Sequence, residues 1–208
     1  MTDLIPIFPL NLVAYPDEDI PLHIFEDRSK QLLRDIETDG KDGFGISPLI
    51  DDVIQDIGTY VRLENVTKRH SDGKLDIVVR GIHLYEIKAL RQPYPGRLYD
   101  GAEIKRRKLS TAGSLEYNED ILNMLREIFN LLQIKRDLPP SPKAFNTFDI
   151  AHFLGLSIEK EYRLLSIRSE MDRQEFVLDH LQKLLPVVQQ MKSIQKRAAM
   201  NGHFRNLN

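Results

Sequence analysis

The period of the apolar residues changes once along this chain, and that change limits the fold more than any other feature. Up to about residue 110, branched and aromatic residues fall in short runs of strand type; from Ser114 onward they recur three and four apart, as on one face of a helix. The small residues Thr111-Ala112-Gly113-Ser114 mark the change and suit a linker. The pattern predicts an α+β protein with a β-rich domain over 1–110, a helical domain over 114–200 and a frayed tail over 201–208. With 41% hydrophobic residues among 208, both parts have material for a core.

The strand runs are residues 5–8, 44–46, 59–63, 75–79, 82–87 and 102–104, and Ser71-Asp72-Gly73-Lys74 supplies a hairpin turn before the fourth of them. One helix interrupts these runs over 27–37, with Leu32, Leu33 and Ile36 as its apolar stripe and Thr38-Asp39-Gly40 as its stop. In the second half, Ser114 caps a helix with an acidic first turn and a face of Ile121, Leu125, Ile128 and Leu132. Asp137-Leu138-Pro139-Pro140-Ser141-Pro142 ends it, because proline lacks the amide proton. Thr147 and Ser157 are caps for a short helix ending at Gly155 and for another over 158–167. The last helix starts near Ser169, with Asp172 completing a capping box. It carries Val177, Leu181, Leu184, Val188 and Met191 as a core stripe or coiled-coil seam, and is expected to kink at Pro186.

Several chemistries have no carrier in the sequence. There is no cysteine, no phosphate-cradling G-x-x-x-x-G-K-[ST], no G-x-S-x-G elbow and no H-E-x-x-H. The six histidines (His23, His70, His83, His152, His180, His203) show no ligand spacing on one helix, so a metal site would require convergence over long range. The formal charge of -2 gives no global attraction to nucleic acid or to an anionic membrane. The start MTDLIPIFPL is not a secretory n-region and no apolar run approaches a membrane span, so a soluble, cytoplasmic protein is expected.

The N-terminal stretch is unusual: Ile5-Pro6-Ile7-Phe8-Pro9-Leu10, Val13-Ala14-Tyr15-Pro16, then Pro21-Leu22-His23-Ile24-Phe25-Glu26-Asp27-Arg28. Prolines in an apolar run predict an edge strand and turns. This string closely resembles the amino-terminal, substrate-binding domain family of the ATP-dependent Lon protease. Phe44-Gly45-Ile46, Asp56-Ile57-Gly58-Thr59, Asp72-Gly73, Val79-Arg80-Gly81 and, more diffusely, Leu164-Leu165 with Arg173 extend the resemblance over most of the chain. Ser29, where the family usually has an aromatic residue, and His83-Leu84, where an Arg-Phe pair is common, depart from it.

The resemblance implies a PUA-like β pseudo-barrel followed by a helical bundle with a long final helix. It also implies a non-catalytic module, without cofactor, that binds unfolded or flexible polypeptides beside a protease or chaperone. Phe8, Tyr15, Leu22, His23 and Phe25 become the candidate polypeptide contacts, although aromatic residues in strand runs usually belong to the core. Glu26 with Arg28 or Arg80 makes a candidate structural ion pair. Lys105-Arg106-Arg107-Lys108 is the sharpest charge feature: it either keeps a sheet edge soluble or serves RNA binding, the alternative function, with no interleaved aromatic to stack bases. Lys192, Lys196, Arg197 and Arg205 add positive charge near the C-terminus.

Overall fold

The computed structural model describes residues 2–38, 40 and 42–203, with side chains to residue 197. In chain order the elements are β1 Asp3–Leu10, β2 Asp19–Ile24, α1 Asp27–Thr38, β3 Gly43–Ile50, β4 Val53–Ile54, β5 Ile57–Arg69, β6 Leu75–Arg91, β7 Asp100–Arg106, α2 Leu115–Leu132, a 3-10 segment Thr147–Phe153, α3 Ile158–Ser166 and α4 Glu170–His203. The protein is α+β. It divides into two compact units, Met1–Leu109 with Leu156–Ser166, and Ser110–Gly155 with Ile167–Asn208. Helix α3 therefore groups with the strands, whereas its apolar periodicity had placed it in the helical half. No helix among the described residues is long and apolar enough to cross a membrane.

In the first unit the strand pairings close on themselves. β1 pairs with β7, β7 with β6, β6 with β5 and β5 with β3, all antiparallel, and β3 returns to β1 in parallel. Such a ring leaves few open backbone edges. The prolines of β1 predicted an edge strand, yet β1 has a neighbour on each side. The two pairings are staggered: Asp3 to Ile7 face β7, and Ile7 to Leu10 face β3. Pro6 and Pro9 thus each lie in a half that is paired on one side only, the edge-like setting in which a strand tolerates proline.

The runs 75–79 and 82–87 form one strand, not two. β6 pairs with β2 along its first part and with β7 along its last, and between them its register with β5 slips, at Tyr60/Val61. Gly81 sits at the slip: a Cβ there would lie 2.0 Å from the Tyr15 carbonyl oxygen, while its own N–H donates to the Glu18 carbonyl at 2.9 Å. Only glycine lets the 15–18 turn approach the strand this closely. The α1 stripe of Leu32, Leu33 and Ile36 packs as expected into a core with Phe8, Phe44, Ile46, Val61 and Val79. Ser29, the departure from the family pattern, is buried and donates from its hydroxyl to the Glu26 carbonyl at 2.8 Å.

In the second unit, the Ser114 hydroxyl accepts from the Tyr117 N–H at 3.2 Å and caps α2, whose Ile121, Leu125 and Ile128 are buried. Gln133 ends it in the left-handed region, at φ 56°. The cap of the 3-10 segment is Asn146, in a capping box with Asp149, and not Thr147. Thr147 instead bonds the Glu170 carboxylate through both its N–H (2.8 Å) and its hydroxyl (3.0 Å). Helix α4 is continuous through Pro186, burying Val177, Leu181 and Val188 and leaving Met191 exposed. The helix extends through 201–203 of the expected frayed tail, and the rest of that tail, with Arg205, lies outside the described residues.

Candidate binding groove

Two adjoining recesses on the strand unit, of about 520 and 450 Å³, share Ile82, His83 and Arg106. Both volumes fall in the range of ligand-binding clefts, about 300–1,000 Å³. The register builds the groove. Tyr60 on β5 and His83 on β6 are direct cross-strand partners, so their side chains share a face, and their rings stack with centroids 5.2 Å apart at 9°. Ile5 and Ile104, from β1 and β7, add apolar lining.

Polar groups converge on this stack. The Tyr60 hydroxyl donates to Asp42 Oδ1 at 2.7 Å and Arg62 Nη2 to Asp42 Oδ2 at 2.9 Å. The Tyr60 hydrogen bond, assisted by Arg62, holds the Asp42 carboxyl below the usual carboxylate range. Burial, and then the Asp42 carboxylate, push the Tyr60 phenol up. Burial, and then the Arg106 charge, push His83 down, so its ring is a neutral stacking surface near pH 7. The groove wall carries Arg62, Arg106, Arg107 and Lys108 against Asp3 and Asp42. It offers apolar contact, one aromatic platform and an excess of positive charge.

The residues anticipated as polypeptide contacts are spread over two environments. Phe8, Tyr15 and Leu22 are buried; Phe8 meets Phe44 edge-on at 6.3 Å, and the Tyr15 hydroxyl donates to the Glu161 carbonyl at 3.3 Å. Phe25 is 54% exposed and its ring stacks on that of His23, at 5.9 Å and 24°. Glu26 and Arg28 form an ion pair on the surface, whereas Arg80 pairs with Asp19 at 2.9 Å. The basic run disperses. Lys105 stands opposite Glu86 in the β6–β7 ladder, Arg106 and Lys108 line the groove, and Arg107 donates to the Ser166 carbonyl at 2.7 Å. Asp42, Tyr60 and Arg62 were not singled out by sequence, because only the strand register brings them beside His83.

No curated protein sequence matches the chain. Among solved structures it is similar to a Lon N-terminal domain protein from Xanthomonas campestris, with TM-score 0.65 and 23% identity over 85% of this chain and 98% of that one. It is also similar to the N-terminal domain of Mycobacterium avium complex Lon protease, with TM-score 0.62 and 18% identity over 86% of this chain and 98% of that one. At these identities the likeness is one of fold. Residues 4–183 match the family model of the ATP-dependent protease La (LON) substrate-binding domain, and the chain belongs to that family.

Proposed function

We propose that this protein is a non-catalytic module that binds flexible polypeptide segments in the groove around the Tyr60–His83 stack, presenting them to a protease or chaperone. The observation that carries this reading is the groove's composition: an apolar lining, a neutral stacked ring pair and a cationic wall in one concavity. Such a surface accepts apolar side chains while its wall attracts acidic residues next to them. Affinity is modest, because a flexible ligand must be ordered on binding. Phe25, exposed beyond the groove lining, is a second contact for longer segments.

The test is fluorescence anisotropy of a labelled, permanently unfolded polypeptide, run beside a labelled single-stranded RNA at two salt concentrations. Saturable polypeptide binding that survives salt is expected. Arg106→Glu and the double variant Tyr60→Ala/His83→Ala should each weaken it about tenfold, equivalent to about 1.4 kcal/mol, with Phe25→Ser reporting the second contact separately. Salt-sensitive RNA binding without polypeptide binding would overturn the reading. Unfolded casein incubated with the protein and ATP should remain intact.

A further inference from the structure

At the hairpin end of β5 and β6, two imidazoles and a carboxylate meet, His23 coming from 53 residues before Asp76. His23 on β2 is the direct cross-strand partner of Asp76 on β6, and its Nδ1 lies 2.6 Å from Asp76 Oδ1. His70, the residue after β5, turns its Nε2 to Asp76 Oδ2 at 2.8 Å. One ligand atom from each of the three lies within 4.8 Å of the others, and they are the one such group among the described residues.

The backbone around them is held in place. The His70 N–H donates to the Lys74 carbonyl at 2.9 Å and the Gly73 N–H to the His70 carbonyl at 3.0 Å, closing the turn. Gly73 takes φ +79°, the left-handed region that the turn requires. The exposed Phe25 ring stacks on the His23 ring and restricts its orientation. The hydrogen bonds from His23 and then His70 hold the Asp76 carboxyl below the usual range.

We propose that His23, His70 and Asp76 form a three-ligand site for a divalent transition ion of the Zn²⁺, Ni²⁺ or Co²⁺ type. Imidazole suits these ions, while an all-oxygen shell suits Mg²⁺ and Ca²⁺. Bonds of about 2.0–2.2 Å in tetrahedral geometry place neighbouring ligand atoms about 3.3–3.6 Å apart. The two imidazole–carboxylate separations, 2.6 and 2.8 Å, are shorter than that, and all three ligand atoms lie within 4.8 Å of one another, so rotations of these partly exposed side chains that open the two contacts would complete the site. The three ligands leave a fourth position open to solvent, where water or a side chain of a bound protein can complete the shell. The ion would tie β2 to the β5–β6 hairpin and stabilise the folded state by mass action.

The site is tested on the untagged, metal-stripped full chain at neutral pH, by calorimetric titration with Zn²⁺ and by the visible ligand-field bands of added Co²⁺. One equivalent is expected to bind, with Co²⁺ bands of the low-symmetry, four-coordinate type and a rise in melting temperature. His23→Gln, His70→Gln and Asp76→Asn should each lower the affinity at least about tenfold, since even outer-shell partners of metal ligands matter by 10–100-fold. His152→Gln should leave it unchanged, and Mg²⁺ should not compete. Circular dichroism of each variant shows that the fold is retained. Absence of stoichiometric binding to the folded wild-type chain, or binding equally tight in the triple variant, would overturn the proposal.

Discussion

The Tyr85 ring is fully enclosed, and two glycines on neighbouring strands make the space for it. A Cβ at Gly45 would lie 2.4 Å from the Tyr85 hydroxyl oxygen, and one at Gly58 would lie 2.4 Å from it and 2.5 Å from the Ile46 carbonyl oxygen. The hydroxyl itself is fixed by Ser47 at 2.8 Å, and burial pushes its ionisation well above the ordinary value, so it serves as a hydrogen-bonding group and not as an acid. Gly45→Ala is therefore expected to cost about 1–3 kcal/mol through overpacking. In a Tyr85→Leu background the same change should cost at least about 1 kcal/mol less, because the two residues compete for one space. Urea unfolding of the four proteins of this cycle measures the coupling, and equal costs in both backgrounds would show that the clash is relieved elsewhere. Phe44-Gly45-Ile46 was legible as a strand, but nothing in it announces that the glycine faces a tyrosine forty residues on. The same holds for the groove and the His23–His70–Asp76 cluster: the individual residues are visible in the sequence, while their meeting depends on register.

Elements were more legible than contacts, because each is set by nearby residues. Ser114 and the four-three spacing after it suffice to start and orient α2, and the α1 stripe emerges buried as anticipated. Where the elements departed from expectation, a long-range partner decided the outcome. The runs on either side of Gly81 join because the strand bends around the 15–18 turn, and Asn146 displaces Thr147 as a cap because Thr147 is held by Glu170. That last contact belongs to a buried ion pair at the start of α4: Arg173 Nη2 lies 2.6 Å from Glu170 Oε2, and both residues are at most 3% exposed. Arg173 also donates from Nη1 to the Ile167 carbonyl at 2.9 Å and stands over the Phe148 ring at 4.3 Å. Arg173→Ala should therefore cost about 3–5 kcal/mol, since it strands the Glu170 carboxylate in the interior. Glu170→Gln combined with Arg173→Met should cost less than that single change, as no buried charge remains. Midpoints of urea denaturation rank the variants, and a double variant as unstable as Arg173→Ala would mean that packing against Phe148, not charge, dominates.

At the scale of the whole molecule, the chain passes between its two units more than once, which a reading of local periodicity has no means of detecting. Helix α3 reads as one more amphipathic helix, yet it belongs with the strands. It contacts β3, its Glu161 carbonyl accepts the buried Tyr15 hydroxyl at 3.3 Å, and its Ser166 carbonyl accepts Arg107 at 2.7 Å. Leu164 and Leu165 on the same helix are fully buried. A cut after residue 109 thus removes a structural piece of the strand unit along with the helical one, leaving the Tyr15 hydroxyl and Arg107 without these partners. The fragment 1–109 is expected to fold with reduced stability, and the same fragment joined through a flexible Gly/Ser linker to residues 156–166 should recover on the order of 3 kcal/mol. That figure is the lower end for burying two leucine side chains, at about 1.5–3 kcal/mol each. Thermal melting followed by circular dichroism compares the two, with Leu164→Ser/Leu165→Ser in the joined segment as the control that keeps length and linker constant. Recovery in the joined fragment and its loss in the control would establish α3 as part of the strand unit's core. Equal melting of all three would mean that residues 1–109 fold without it, and that the α3 contacts are a consequence of the helical unit's connections instead of a support for the strands.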